Sequence, residues 1–273
     1  TGSFLVAGDI FSMLKLGRLD FITQFYFLLC LSFMSFTAFA TAKNAAEEGQ
    51  VHLLKVVTTF SVLSDMVQQI GGKYVNVHTL VDWDEDAHVF QPSPSDVKKI
   101  ADADLLVLNG LGFEGWLSRL LSAVEYTGPS VEVTSGVDLI RLDLGGDHHD
   151  ADESDHHHGH DHGHKANVYD PHAWHSLKAA LVYLENISQA MIKVDPKNSA
   201  YYSANLSSYS EKLITLDEAI SSKISGIKEE KRRLVVPHNA FAYLARDYGL
   251  QIHSLQGVST DSETSAADLA KIV

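Results

Sequence analysis

The stretch Leu-Leu-Lys-Val-Val-Thr-Thr-Phe-Ser-Val-Leu-Ser-Asp-Met-Val-Gln-Gln-Ile-Gly-Gly-Lys-Tyr-Val-Asn-Val-His-Thr-Leu-Val (53–81) decides the fold. Leu53–Thr58 is a short β-rich run. Phe60, Leu63, Met66, Val67 and Ile70 then recur at helical spacing, and Gly71-Gly72 closes the segment. From Tyr74 to Val81 the pattern alternates as a strand does. A strand, a helix and a second strand in so short a span read as a βα unit feeding a parallel sheet.

Working outward, the alternation continues. Ser95 is expected to cap a helix through about Ala103, and Leu105–Leu108 reads as a buried strand ending at Asn109-Gly110. A helix around Trp116–Val124, a strand at Ser130–Val133 and a helix over Ser176–Lys193 follow. Asp195-Pro196 then offers a helix start with proline at the first helical position. Beyond it Tyr202, Leu206, Tyr209, Leu213, Leu216, Ile220, Ile224 and Ile227 repeat at steps of three or four. They make one apolar stripe on a helix of roughly 28 residues, about 42 Å long. Coiled-coil pairing is the alternative, but the stripe is brief and carries two tyrosines. A helix joining two lobes is therefore the reading. Arg233–Val236 resumes as a strand, Asn239–Tyr248 as a helix, Gln251–Ser254 as a strand, and Ala266–Val273 opens a helix.

The fold class is α/β, with two βα lobes of parallel sheet. The expected organisation is upstream and leader sequence over 1–42, an N-terminal lobe over 43–194, a linking helix over 195–228 and the start of a C-terminal lobe over 229–273. Residues 229–273 are too few for a second lobe matching the first, so that lobe is expected to be truncated.

Composition agrees with two lobes, since 273 residues exceed one typical domain. A hydrophobic content of 45% with 21% charged residues is ordinary for a globular chain. The net charge of −14 argues against nucleic acid or an anionic membrane surface as partner. It is compatible with attracting cations, and with surface adhesion through an acidic exterior, but decides neither.

From Met13 the chain runs through a positive start, the apolar stretch Phe21–Phe36 and Thr-Ala-Phe-Ala-Thr-Ala (37–42), the pattern of a secretory signal peptide. Cleavage after Ala40 or Ala42 fits equally well. The apolar stretch is interrupted by Thr23 and Gln24 and is shorter than the roughly 20 residues a membrane span needs. The single cysteine, Cys30, lies inside that stretch rather than at the cleavage point, so lipid attachment there is not expected. The exported chain would be free of cysteine and of thiolate–metal chemistry. Export without an anchor suggests a periplasm.

Eight of the fifteen histidines fall between His148 and His164. The surrounding segment 145–165 also holds six carboxylates and no large apolar residue. It cannot bury a core, and reads as an acidic linker able to trap metal weakly at several sites.

Three histidines stand apart from it. His88 lies in Asp-Glu-Asp-Ala-His-Val-Phe just past a strand, His172 in Asp-Pro-His-Ala-Trp just before a helix, and His238 directly after Leu-Val-Val-Pro. In open α/β sheets ligands bind beyond the carboxyl ends of the strands, where these loops could converge. Neutral imidazole suits Zn²⁺. None of the three belongs to a local motif such as His-Glu-x-x-His, so spacing leaves hydrogen-bonded or surface histidines as the alternative.

Read together, Ala-His-Val-Phe-Gln-Pro-Ser-Pro-Ser-Asp (87–96), Asn-Gly-Leu-Gly-Phe-Glu-Gly-Trp (109–116), Asp-Pro-His-Ala-Trp (170–174) and Val-Val-Pro-His-Asn-Ala-Phe-Ala-Tyr-Leu (235–244) resemble the zinc/manganese substrate-binding proteins of ABC transporters. Leu255–Asp268 resembles them too, and the His-rich insertion is similar to that of the zinc-uptake members. The resemblance implies two lobes joined by a rigid helix, a metal in the cleft held by His88, His172 and His238, and delivery to a permease in the inner membrane by a monomer. In manganese-type relatives the third position is typically a carboxylate, so His238 points toward Zn²⁺ with Mn²⁺ the weaker candidate. The family's usual fourth ligand, an aspartate, would fall beyond Val273; Glu85, Asp86 or water are the substitutes within reach. Asp170 could orient His172 or simply turn the chain before Pro171, and the turn is the default reading. His175 reads as a surface or supporting residue, His52, His78 and His253 as structural or exposed, and Trp116 and Trp174 as core. A zinc hydrolase would need a general base, for which only Glu85 is convenient, and no nucleophile motif is present. The chain is therefore read as a non-enzyme, with a metal buffer acting through the His-rich segment as the competing function.

Overall fold

The computed structural model describes residues 53–142 and 168–260. The leader with Cys30, His52, the His-rich segment 145–165 and the helix expected over Ala266–Val273 lie outside the described residues.

Strand β1 (Leu54–Phe60) is buried at every position except Lys55. It pairs in parallel with β2 (Val75–Val81) on one side and β3 (Leu105–Leu108) on the other. β4 (Ser130–Glu132) pairs in parallel with β3, giving the order β2-β1-β3-β4. A strand covered on both faces is buried nearly throughout, which is why β1 shows a continuous buried run, Thr58 and Thr59 included, rather than alternation. The edge strand β2 does alternate. Helix α1 (Ser61–Gly71) buries Leu63, Met66, Val67 and Ile70, the positions the spacing picks out. Phe60 ends β1 instead of joining that helix. Gly72 takes φ 51°, a left-handed conformation that glycine adopts without a Cβ penalty.

Helix α2 (Pro94–Ala101) begins earlier than expected, and Ser93, not Ser95, is its N-cap. Pro94 is preset for the first helical position, which puts the cap one residue upstream. The Asp96 carboxylate accepts from the Ser93 amide at 2.9 Å and hydroxyl at 2.7 Å. Helices α3 (Leu117–Ala123) and α4 (Leu177–Val194) follow; the Ser176 hydroxyl caps α4 by accepting from the Ala179 amide.

Helix α5 (Ser199–Ser225) is 27 residues long, preceded by a single 3₁₀ turn at Pro196–Asn198. Its stripe is not buried along its length. Tyr202 is fully buried and Leu213 nearly so, whereas Leu216 is exposed, and Ile227 falls beyond the end of the helix. The first half packs on α1 and α4, and the second half runs past them. None of the described helices is long and apolar enough to cross a membrane.

Strands β5 (Arg233–His238) and β6 (Gln251–Gln256) pair in parallel as a separate two-stranded sheet. Helix α6 (Ala242–Tyr248) connects them and starts three residues later than the sequence suggests. The intervening residues serve the turn instead: the Asn239 amide donates to Gly257 O and the Ala240 amide to His238 O. The fully buried Tyr243 ties α6 to the first sheet's loops. Its hydroxyl donates to Asp170 O at 2.7 Å and accepts from the Ile140 amide at 3.1 Å. Arg246 donates to Asp138 O, and the Ser176 hydroxyl bonds Asp247.

Candidate metal centre

In the first sheet, strand order reverses direction at β1 and β3, the switch point where α/β folds open a crevice. Phe60, the last residue of β1, and Phe113, in the turn that follows β3, wall a cleft of about 510 Å³ there. His88 reaches it from the loop after β2, His172 from the turn before α4, and His238 from the last position of β5. The three offer ring nitrogens that all lie within 4.8 Å of one another. The Nε2 atoms of His88 and His172 are 3.1 Å apart. Tetrahedral coordination with Zn–N bonds of 2.0–2.1 Å separates ligand nitrogens by about 3.3–3.4 Å, close to that spacing. Among the described residues this is the one cluster of histidines and carboxylates with ligand-like spacing.

His172 is the most constrained of the three, at 1% exposed. Asp170 Oδ1 accepts from its backbone amide at 2.9 Å and its Nδ1 at 2.8 Å. A carboxylate can only accept, so the proton sits on Nδ1 and Nε2 turns a lone pair to the cleft. Asp170 is therefore more than a turn residue. Carbonyls on either side are also held: Asp170 O by Tyr243, and Pro171 O by Asn109 Nδ2 at 2.9 Å.

His88 is held differently. Asp86 Oδ1 accepts from its backbone amide at 2.9 Å, and Asp86 Oδ2 from the Thr260 hydroxyl at 2.7 Å. Burial opposes ionisation of Asp86, but those hydrogen bonds and the nearby histidines outweigh it and hold its carboxyl below the usual range. The Trp116 indole donates to Ala87 O at 2.8 Å while packing in the core, which fixes the turn one residue before His88. Glu85 accepts from the Asp82 amide, so it and Asp86 are both engaged within the loop or with Thr260 rather than grouped with the histidines.

His238 is half-buried; burial and then the charge of His172 push its pKa down, favouring the neutral, ligand-competent ring. Its centroid lies 5.4 Å from that of His172 and 5.8 Å from that of His88.

His175 forms part of the cleft wall, its ring 4.5 Å from Phe241 and 5.4 Å from Trp174. Burial first, then the charge of His172, pushes its pKa down to about 4. Trp174 packs on Phe60, Phe113 and His172. His78 and His253 are exposed on their strands.

Three groups that serve the site escape a reading of the sequence: Asn109, Glu114 and Tyr243. Glu114 is 7% exposed, and burial pushes its carboxyl up against the pull of its hydrogen bonds. They lie within the stretches 109–116 and 235–244, but the partners Thr59, Pro171, Asp170 and Tyr183 are 55 to 74 positions away, so the pairing is not legible locally.

Comparison with known proteins bears on what such a cleft serves. Residues 56–273 match the family described as zinc-uptake complex component A, periplasmic. The manganese ABC transporter substrate-binding lipoprotein PsaA of Streptococcus anginosus is 32% identical over 267 residues, covering 96% of this chain and 78% of that one. Among solved structures, the periplasmic zinc binding protein TroA from Treponema pallidum superposes with a TM-score of 0.68 at 28% identity, over 81% of this chain and 73% of that one. An Mn-bound periplasmic metal binding protein (S38A mutant) from Candidatus Liberibacter asiaticus gives 0.65 at 31% identity, over 80% and 73%. The extent of the match and the shared α/β architecture lead to one assignment: this chain belongs to the zinc-uptake component A family, the metal-binding substrate-binding proteins of ABC transporters.

Proposed function

We propose that this protein captures Zn²⁺ outside the cytoplasm, in the periplasm, with His88, His172 and His238 as ligands, and delivers it to an ABC importer. The observation that carries the reading is the convergence of three ring nitrogens within 4.8 Å, one of them oriented by a buried carboxylate. Three neutral imidazoles form a borderline-soft donor set, which suits Zn²⁺ better than Mn²⁺, whose preference is for oxygen. Asp170 supports capture by fixing the His172 tautomer and ring orientation. The family's role in transport supports delivery to a permease, and the leader-like segment 13–42 supports export of the chain.

A manganese reading competes because PsaA and the Liberibacter protein are described by that metal. Calorimetric titration of the exported chain with Zn²⁺ and Mn²⁺ in parallel, with and without residues 147–164, decides between the readings. One tight zinc site that survives the deletion and disappears in His172→Ala is the expected result. Tighter manganese binding would overturn the metal assignment, and no tight site after the deletion would make the His-rich segment the principal binder.

A further inference from the structure

We propose that Glu114 is a positioning residue for the histidine site, clamping the 109–114 turn that sets His88 against His172. The inference rests on the reading of those histidines as zinc ligands.

Both Glu114 oxygens are occupied. Oε1 accepts from the Thr59 hydroxyl at 2.6 Å and the Asn109 amide at 2.7 Å, and Oε2 from the Gly110 amide at 3.2 Å. Those donors stand at the carboxyl ends of β1 and β3, the two strands that open the cleft. The turn they close has an unfavourable backbone: Gly110, Leu111 and Gly112 take φ of 91°, 56° and 78°. Leucine is not at ease in the left-handed region, so such a turn persists only where its surroundings over-determine it. Glu132 contributes a second clamp by accepting from the Leu111 amide at 3.3 Å. A Cβ at position 110 would lie 2.0 Å from that carboxylate, which leaves glycine as the residue that fits.

The turn has two outputs, and both grip the site. Asn109, fully buried, donates from Nδ2 to the carbonyl of Pro171, the peptide bonded to His172. Its Oδ1 is fixed by the Tyr183 hydroxyl at 2.8 Å. Phe113, adjacent to Glu114, packs against both histidines in edge contacts, with centroids 4.9 Å from His88 and 5.7 Å from His172. A shift of the turn therefore moves the two imidazoles relative to each other. A staple that merely stabilised the loop would account for the hydrogen bonds of Glu114, but would leave the metal geometry untouched when weakened.

That difference supplies the test. Zinc affinity by calorimetry, the visible ligand-field spectrum with cobalt(II) as probe, and the thermal midpoint would be measured on the exported chain and its variants. Glu114→Gln sets an NH₂ group against backbone donors. It is expected to weaken zinc binding about 10-fold or more, as supporting residues of metal ligands do, and to alter the cobalt bands. Thr59→Val, a gentler change that removes one donor, should shift both readouts the same way by less. Ile187→Val, in the buried face of α4, should lower the midpoint and leave affinity and spectrum alone. Wild-type affinity and spectrum in folded Glu114→Gln would overturn the proposal. Where that variant does not fold, the same result for Thr59→Val would overturn it. A parent chain without a tight site sensitive to His172→Ala would instead sink the zinc reading and this inference together.

Discussion

The two sheets hold their histidines in very different ways. Around β1 and β3 the sheet is sealed on both faces, with Val56, Leu106 and Val107 fully buried. The β5–β6 pair is less covered among the described residues: Leu234 is 43% and Val235 59% exposed, and no residue of β5 is buried. Accordingly His172 is 1% exposed, with its ring, amide and neighbouring carbonyls all held, whereas His238 ends a strand of the less covered pair and is half-buried. The lesson concerns pre-organisation. A ligand's orientation is inherited from the rigidity of the element behind it, so one side of the cleft is set before metal arrives. The other is tied to it mainly through α6, by Tyr243, Arg246 and Asp247.

The contrast can be broken most forcefully in the sealed sheet. Leu106→Ala should cost about 2–5 kcal/mol in urea denaturation of the metal-free protein, because a buried leucine leaves a cavity that collapses little. A loss below about 1 kcal/mol would mean the sheet repacks freely and is no rigid frame.

The next effect is one of pH. His175 has a folded pKa near 4 against an unfolded value of about 6.5, so the unfolded chain binds the proton first as pH falls. Its contribution to stability is present above pH about 6.5 and is lost as pH drops toward 4, by up to about 3 kcal/mol. Replacing it by phenylalanine keeps a ring against Phe241 and removes the titration. His175→Phe should therefore lose less stability between pH 7 and 4.5 than the parent, and equal losses would remove this group from the account.

Asp170→Asn tests the inherited orientation directly. Zinc affinity should fall about 10- to 100-fold with the fold intact by circular dichroism, as for other carboxylate–histidine supports. Asp86→Asn, whose carboxylate holds the His88 backbone rather than its ring, should lose less. If Asp86 proved the more costly, the buried support of His172 would not be the one that sets the site. The smallest expected change is Val235→Thr on the less covered pair, within about 0.5 kcal/mol of the parent, since exposed positions away from special features tolerate substitution. A larger loss would show that this face is covered in solution.

Legibility in the sequence followed the range of the interactions. Helix α1 and the strands around it were readable because burial imposes its own period on neighbouring residues, as at Leu63, Met66, Val67 and Ile70. The start of α2 was misplaced by one cap, since Ser93 and Ser95 both carry hydroxyls and the deciding proline lies between them. The stripe of α5 was visible from Tyr202 to Ile227, but periodicity reports a capacity for burial and not what lies opposite. Leu216 has the pattern without the cover, and Ile227 lies past the helix end. Asp170-Pro171 leaves two readings open in sequence, a turn opening and a support for His172; which holds depends on where the ring folds back.

By itself, then, the sequence determined the α/β class, the order of the elements and the identity of His88, His172 and His238 as candidates. These follow from local spacing and from motifs that survive in one dimension. Tertiary structure alone decided that the three nitrogens meet within 4.8 Å, that Asp170 orders one ring, and that Glu114, Asn109 and Tyr243 brace the turns behind it. The physical reason is that bracing hydrogen bonds spanning 55 to 103 residues leave no trace in local composition, and even the short-range bond of Asp170 to His172 depends on how the ring folds back.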